Sequence, residues 1–518
     1  MKQRSQWGTR AGFIMAAVGS AVGLGNIWRF PYVAYENGGG AFFIPYLFAL
    51  LTAGIPILIM EFTIGHKYRG SAPLSFFRMG GKRAEWMGWW GIFVSFVIST
   101  YYAVIIAWAM KYTVYSFNLS WGEDTKGFLF GDVLKLAENP GDVGGYVPGV
   151  LLPLLLVWAI AFIILLAGVK RGIELANRIF IPTLVVVFLI VVIRAVTLDG
   201  ALLGLDAFFK PDLSKLANPT VWVAAYGHIF FSLSIAFAIM ITYSSYLPKK
   251  SDITNNAFIT GFANSGFELL AGIGIFAALG FMATQANMAV SEVADAGVGL
   301  AFVVFPQIIN EMPGMNGLIG VMFFLSLVLA GLSSLISISE TYIAGISDKF
   351  NISRSKSVIF SVGLATIIST LFATRGGLYF LDAADYFINQ FGVAAIGLVE
   401  VVLIVWVFKK VDVFERHANA LSDIQIRSWW KICLGFITPL VLGYMMFGLI
   451  RKNVMKLHVI DDKGTLGNYE GYSDTFILYG GWSVALFALV MGIIFTLFKW
   501  KRNTIEETDY EETKEDSL

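Results

Sequence analysis

Cysteine is almost missing from this 518-residue chain: Cys433 stands alone. One thiol excludes an intrachain disulfide and any metal centre built on cysteines, and Cys433 reads as a small apolar helix residue. Histidine is nearly as scarce. His66, His228, His417 and His458 are scattered without metal-ligand spacing. Charged residues make up only 14% of the chain, against roughly 25% in a soluble domain. Thirty-seven basic and 36 acidic side chains leave a formal charge of +1, and no basic cluster with interleaved aromatics offers a surface to nucleic acid. A nucleophile–base pair is missing too, which argues against a membrane enzyme.

What is present is apolar: 57% of residues are hydrophobic and 15% aromatic. Long apolar segments lie at 11–35, 41–65, 87–117, 149–168, 175–197, 221–246, 258–284, 315–346, 357–374, 379–408, 430–450 and 476–499. Each, at 1.5 Å per residue, is long enough to cross ~30 Å of hydrocarbon as a helix. The pattern predicts an all-α, multi-pass membrane protein of about twelve transmembrane helices, embedded in the lipid of the cell (cytoplasmic) membrane. The first segment has no small-residue cleavage site and is expected to stay in the mature protein. With twelve crossings both ends share a side. Twenty-five of the 37 Lys and Arg residues fall in the loops of that side, 11 on the other, and Arg29 lies inside an apolar run. Both termini are therefore predicted to be cytoplasmic. The tail from Glu506 to Leu518 is acidic and reads as solvated and disordered.

The segment Ala11–Tyr35 carries Gly19, Gly23 and Gly25, then Asn26, Arg29 and Pro31. Interrupted helix at membrane depth survives only where it is buried in protein or lines a cavity, because lipid satisfies no backbone group. Freed carbonyls there hold a cation, and a half-helix N-terminus holds an anion such as a carboxylate. This is the pattern of a transporter. A second candidate break lies in 221–246, where Phe230–Phe237 mixes hydroxyls and small residues into an apolar run; small residues also serve close helix packing. Two such breaks in corresponding places imply a 5+5 inverted repeat with helices 1 and 6 unwound and two extra C-terminal helices. The divisions are then 1–200 for the first repeat, 201–410 for the second, 411–502 for helices 11 and 12, and 503–518 for the tail.

Residues 23–46, GLGNIWRFPYVAYENGGGAFFIPY, resemble the signature of the neurotransmitter:sodium symporter family, in its bacterial amino-acid branch. The likeness continues through Tyr101–Tyr102, the Gly172–Pro182 spacing, VWVAAYGHIFFSLS at 221–234 and LAGLSSLISISE at 329–340. It implies two sodium sites. The first would use the carbonyl of Ala21, the amides of Asn26 and Asn264, the carbonyl and hydroxyl of Ser232, and the substrate's own carboxylate, so that each ligand raises the other's affinity. The second would use carbonyls of Gly19, Val22 and Ala330 with the hydroxyls of Ser333 and Ser334. Well-known amino-acid members have Thr where this chain has Ser232 and Ser333; the hydroxyl remains, so altered affinity is expected rather than loss.

By the same resemblance, a substrate carboxylate meets sodium, the N–H groups around Leu24 and Gly25, and the Tyr102 hydroxyl. Its amino group meets carbonyls near Ala21, Phe231 and Ser234. Ile98, Phe231, Phe237, Ser334 and Ile338 would line a mostly apolar pocket. Amine-carrying relatives place an Asp where this chain has Gly23, so a hydrophobic or aromatic amino acid is implied. Arg29 and Asp385, with Tyr102 over Phe231, would form the outer gate; Arg4 and Asp348, with Trp7 beneath, the inner one. His228 replaces a Gln that relatives carry near Arg29, which makes that gate a candidate for pH sensitivity.

Glu268 stands where chloride-dependent animal members have Ser, with Tyr46, Ser232 and Asn264 as expected neighbours. A carboxylate there supplies the charge that chloride supplies elsewhere, and could carry a proton back when sodium is absent. Glu61, Glu340 and Glu400 read as structural hydrogen-bonding or ion-pair residues. The Gly172–Pro182 spacing could let helix five unwind toward the second sodium. The implied function is sodium-coupled, chloride-independent import of hydrophobic amino acids by a monomer or weak dimer. The alternatives are a transport-inactive sensor on the same fold and a proton-driven carrier.

Overall fold

The computed structural model describes residues 4–454 and 471–501; the acidic tail lies outside the described residues. These residues form helices and, apart from two isolated bridges, no strand. Among the described residues, ten unbroken helices are long and apolar enough to cross a membrane. In chain order the second to fifth spans are Gly40–Tyr68, Lys82–Tyr115, Pro148–Leu166 and Val169–Val196. The seventh to twelfth are Ile253–Ala286, Asn316–Phe350, Arg354–Ala373, Gly377–Val407, Ser428–Asn453 and Asp474–Leu497. Each falls on one of the apolar segments read from the sequence. First place belongs to a broken pair, Arg10–Ala21 and Leu24–Glu36, bent by 56°. Sixth place is held by two short helices, Pro219–Ser232 and Ile239–Ser244. Shorter helices Ala72–Gly80, Ala201–Phe209, Gly297–Glu311 and Val411–Asn419 connect the spans.

The spans differ in what they face. The most apolar stretches of the third and eighth spans are 94% and 83% buried, while those of the fourth, fifth and twelfth are only 33% buried. Lipid is as apolar as leucine, so side chains such as Leu152, Ile163, Ile193 and Leu486 stay outward at no hydrophobic cost. The third and eighth spans pack on each other, and the broken spans meet them through Tyr102, Ser95, Ser333 and Ser334.

The two breaks have different causes. Of the three glycines in the first segment only Gly23 lies in the break, between Ala21 and Leu24. The N–H groups that would continue the helix turn elsewhere: Gly23 N donates to Asn26 Oδ1 at 2.9 Å and Leu24 N to Tyr102 Oη at 3.2 Å. That frees the carbonyls of Gly19 and Ser20. In the sixth span residues 233–238 leave the helix altogether, with Ser234, Ala236 and Ala238 at φ 52°, 66° and 62°. A left-handed conformation costs a residue with a Cβ about 1–2 kcal/mol, and the surroundings hold it in place. Ala236 N donates to Glu61 Oε1 at 2.6 Å, Ser95 Oγ to the Phe237 carbonyl at 2.6 Å, and Ser234 Oγ to the Ser20 carbonyl at 2.8 Å. The last bond joins one break to the other.

The fifth span opens with a wide π-helical turn at Val169–Glu174. Gly172 is required there, because a Cβ would fall 1.9 Å from the Ile164 carbonyl oxygen. Beyond it the helix runs unbroken through Pro182.

Candidate functional site

Where the first and sixth spans come undone, the seventh brings up Asn264 and Glu268, and a buried polar cluster forms. Asn26 Nδ2 donates to Asn264 Oδ1 at 2.8 Å, and Asn264 Nδ2 to Ser232 Oγ at 2.6 Å. Ser232 Oγ in turn donates to Glu268 Oε1 at 2.5 Å. Glu268 also accepts from Asn26 Nδ2 at 3.2 Å and from the Tyr46 hydroxyl, and its Oε1 lies 2.7 Å from His228 Nε2. All six residues are buried. Amide, hydroxyl and carboxylate oxygens packed this densely are the donor set of a hard cation. Asn264, one helical turn before Glu268, shares Ser232 and Asn26 with it as partners; Glu268 further contacts Tyr46 and His228.

A second set of oxygens joins the first span to the eighth. Ser333 Oγ donates to the Gly19 carbonyl at 2.8 Å and back to Ala330 O at 2.9 Å; Ser334 Oγ lies 3.4 Å from both Gly19 O and Ser20 O. The carbonyls freed by the break thus face hydroxyls across the helix pair, with Ala21 and Val22 buried at the helix end. These oxygens fit an alkali cation as well.

Between the two sets lies the position from which Gly23 lacks a side chain. A Cβ there would be 3.1 Å from both Ser334 Oγ and Tyr102 Oη, and one on Gly25 would be 2.7 Å from the Phe231 ring. Tyr102, Phe231, Leu24, Gly25 and Ser334 therefore share one neighbourhood. Ser234 reaches the same first break through Ser20. Ile98, Phe237 and Ile338 are buried in the surrounding apolar core.

On the N-terminal side an ion pair ties the chain to the eighth span. Arg4 Nη1 pairs with Asp348 Oδ2 at 3.2 Å and Arg4 donates to Ser245 Oγ at 2.9 and 3.1 Å. Burial works against the Arg4 charge, yet Asp348 beside it holds the guanidinium above its ordinary range. Trp7 donates from Nε1 to the Tyr243 carbonyl at 2.8 Å and sits edge-on to Phe13, Tyr243 and Tyr246. At the other end, Arg29 and Asp385 do not form an ion pair among the described residues. The Arg29 guanidinium lies 5.1 Å over the Phe231 ring, while Asp385 accepts from Tyr101 at 2.8 Å and Asn389 at 2.9 Å. A cavity lined by Arg29, Phe231, Asn389, Gln390 and Met445 opens there.

His228 stands on Glu268 and tilts against Phe30 and Tyr46, where the resemblance set it near Arg29. Glu340 takes Arg354 through both oxygens, at 2.8 and 2.7 Å, and accepts from Tyr246. Two residues matter that sequence reasoning did not assign to the site. Glu61 clamps the second break. Asn177, buried on the fifth span, faces Gly19. An acidic or amide group in an apolar helix is the signal that marks both.

The chain matches the model of the sodium:neurotransmitter symporter family over residues 4–129 and 122–503. It is 41% identical over 497 residues to an uncharacterized sodium-dependent transporter of Methanocaldococcus jannaschii, covering 96% of this chain and 98% of the relative. It is 32% identical over 504 residues to the sodium- and chloride-dependent creatine transporter 1 of Bos taurus, with 86% and 77% covered. Among solved structures, MhsT in complex with L-phenylalanine matches with a TM-score of 0.73 and 33% identity, over 86% of this chain and 99% of that one.

Proposed function

The chain belongs to the sodium:neurotransmitter symporter family, and on that premise we propose that it is a sodium-coupled importer of hydrophobic or aromatic L-amino acids working by alternating access. The observation that carries the reading is the surroundings of Gly23. The position that holds an aspartate in amine carriers has the hydroxyls of Tyr102 and Ser334 for neighbours here, so the negative charge for the neighbouring sodium is left to the substrate. An α-amino acid brings that charge as its carboxylate. MhsT, similar over most of its length, was crystallised with L-phenylalanine, which supports an aromatic cargo.

In this reading the cluster of Asn26, Ser232 and Asn264, with the Ala21 carbonyl, holds one sodium beside the substrate carboxylate. Gly19, Val22, Ala330, Ser333 and Ser334 hold a second that clasps the first span to the eighth. Unlike charges at contact distance inside a low-dielectric site attract strongly enough that neither ligand binds well alone. Arg4, Trp7 and Asp348 form the cytoplasmic gate and Arg29 and Asp385 the extracellular one, with both termini cytoplasmic. The twelve crossings divide into repeats of five and two further helices. Uptake into proteoliposomes tests the reading: sodium supports it, potassium does not, and among twenty competing amino acids the large apolar ones displace the label. Binding without flux would make the protein a sensor, and flux driven by a proton gradient without sodium would make it a proton-driven carrier.

Chloride is not required in this reading. The creatine relative is named for sodium and chloride, but Glu268 puts a fixed carboxylate beside Ser232 and Asn26. Glu268 would carry a proton back when the sodium sites empty. Glu268→Ser is expected to make uptake chloride-dependent, at least tenfold slower in gluconate than in chloride medium; equal rates in the two media refute the assignment.

A further inference from the structure

We propose that Asn177 belongs to the second cation site as an outer oxygen of the fifth span, linked to sodium through one bridging water; this rests on the two-sodium reading above. The Asn177 amide has a fixed orientation. Its Nδ2 donates to the Ile173 carbonyl at 2.9 Å, so the oxygen points the other way. That Oδ1 is buried and has no hydrogen-bond partner among the described residues, although buried polar atoms nearly always have one. It is aimed at the first span: a Cβ on Gly19 would lie 2.4 Å from it. Gly19 is the residue whose carbonyl takes Ser333 Oγ at 2.8 Å and Ser334 Oγ at 3.4 Å. Oxygens from three spans thus converge on one residue, and the one from the fifth lacks a partner.

An amide oxygen accepts and does not donate. A water that gives one hydrogen to Oδ1 and turns its oxygen to the cation satisfies both, and hard cations commonly keep such waters. The alignment is held from below. Glu174, three residues earlier and on the same helix face, accepts from Gly8 N at 2.6 Å and Thr9 Oγ1 at 2.9 Å. Side chains at Gly12 or Gly19 would collide with Glu174 and Asn177, at 2.2 and 2.4 Å. The fifth span therefore rests on a glycine stripe of the first, and the π-helical turn Val169–Glu174 sits directly under the contact.

The test is sodium binding by the full-length purified protein without amino acid, followed by tryptophan fluorescence and by sodium-dependent thermal stabilisation. Removing an outer-shell partner weakens metal sites by about 10–100-fold. Asn177→Leu, similar in volume and without the oxygen, is expected to raise half-saturating sodium about tenfold, with an unchanged melting temperature in choline. Combined with Ser333→Ala, Asn177→Leu adds little further loss, because both act on one site; combined with Asn264→Leu the losses add. Unchanged sodium affinity in a folded Asn177→Leu, or full additivity with Ser333→Ala, overturns the proposal. If Asn177→Leu does not fold, Asn177→Ala is read the same way. A wild-type protein indifferent to sodium overturns the two-sodium reading instead.

Discussion

The molecule holds two arginine–aspartate sets built from similar parts, one paired and one apart. At the N-terminal end an arginine and an aspartate meet at 3.2 Å, a serine and a backbone N–H complete their bonds, and Trp7 lies beneath. At the far end an arginine and an aspartate are both present but apart. Arg29 rests on Phe231, and Asp385 is satisfied by Tyr101 and Asn389. The N-terminal pair is held by Ser245, by Ser71 N and by the Tyr246 ring. The outer arginine lies over a ring that also packs against Gly25, just past the first break. A cation over an aromatic ring is worth about 0.5–1 kcal/mol where water reaches it, a weak latch.

Breaking the inner end should have the largest effect. Asp348→Ala leaves Arg4 without its carboxylate and Ser71 N without an acceptor. Removing one partner of a fully buried pair costs about 3–5 kcal/mol; with the two side chains 16% and 18% exposed, about 2 kcal/mol is expected, roughly a 30-fold shift toward an inward-open state. Cys433 is the single cysteine and is buried, so labelling of a cysteine introduced on the inner path, in a Cys433→Ser background, reads the shift directly. An unchanged labelling rate would mean that Trp7 and the sixth span close this end without the ion pair.

A smaller effect is expected at the outer end. Asp385→Asn keeps an acceptor for Tyr101 and removes the charge that Arg29 approaches on closure. Substrate KM in uptake should rise about fivefold, roughly 1 kcal/mol, with inner-path labelling little changed. If Asp385→Asn moves inner labelling as much as Asp348→Ala does, the two ends are not separately controlled.

The sequence made the fold legible because hydrocarbon imposes a coarse rule, that apolar runs of sufficient length become spans: among the described residues ten of the segments are unbroken apolar helices, the first is a bent pair, and the sixth is two short helices. The first break was legible for the same reason, as glycines and an amide in an apolar run have few other uses. Its register was not. Gly19 and Gly25 are helical and serve close approach, of Asn177 and of Phe231, and only packing partners distant in sequence decide which glycine unwinds. Partners were the harder part throughout. Asn26, Ser232, Asn264 and Glu268 come together, yet that His228 meets Glu268 and not Arg29 depends on how the sixth span is rotated about its axis, and a small rotation exchanges neighbours. Glu61 was read as structural without its partner, since the Ala236 N–H is set free only by left-handed residues that no propensity rule places there. Asn177 faces Gly19 across two spans that are far apart in the chain.

The smallest effect, and the one that sharpens the comparison most, is expected from His228→Gln. Were His228 part of the outer gate, its replacement would alter KM through Arg29. The structure puts Nε2 on Glu268 Oε1 at 2.7 Å, the oxygen that also accepts from Asn26 Nδ2 and Ser232 Oγ. Glutamine offers Glu268 an N–H on a more flexible stem, so half-saturating sodium should rise about threefold while substrate KM changes less than about twofold. Unaltered sodium affinity would remove the histidine from the ion end of the molecule; a large change in KM with constant sodium affinity would return it to the gate.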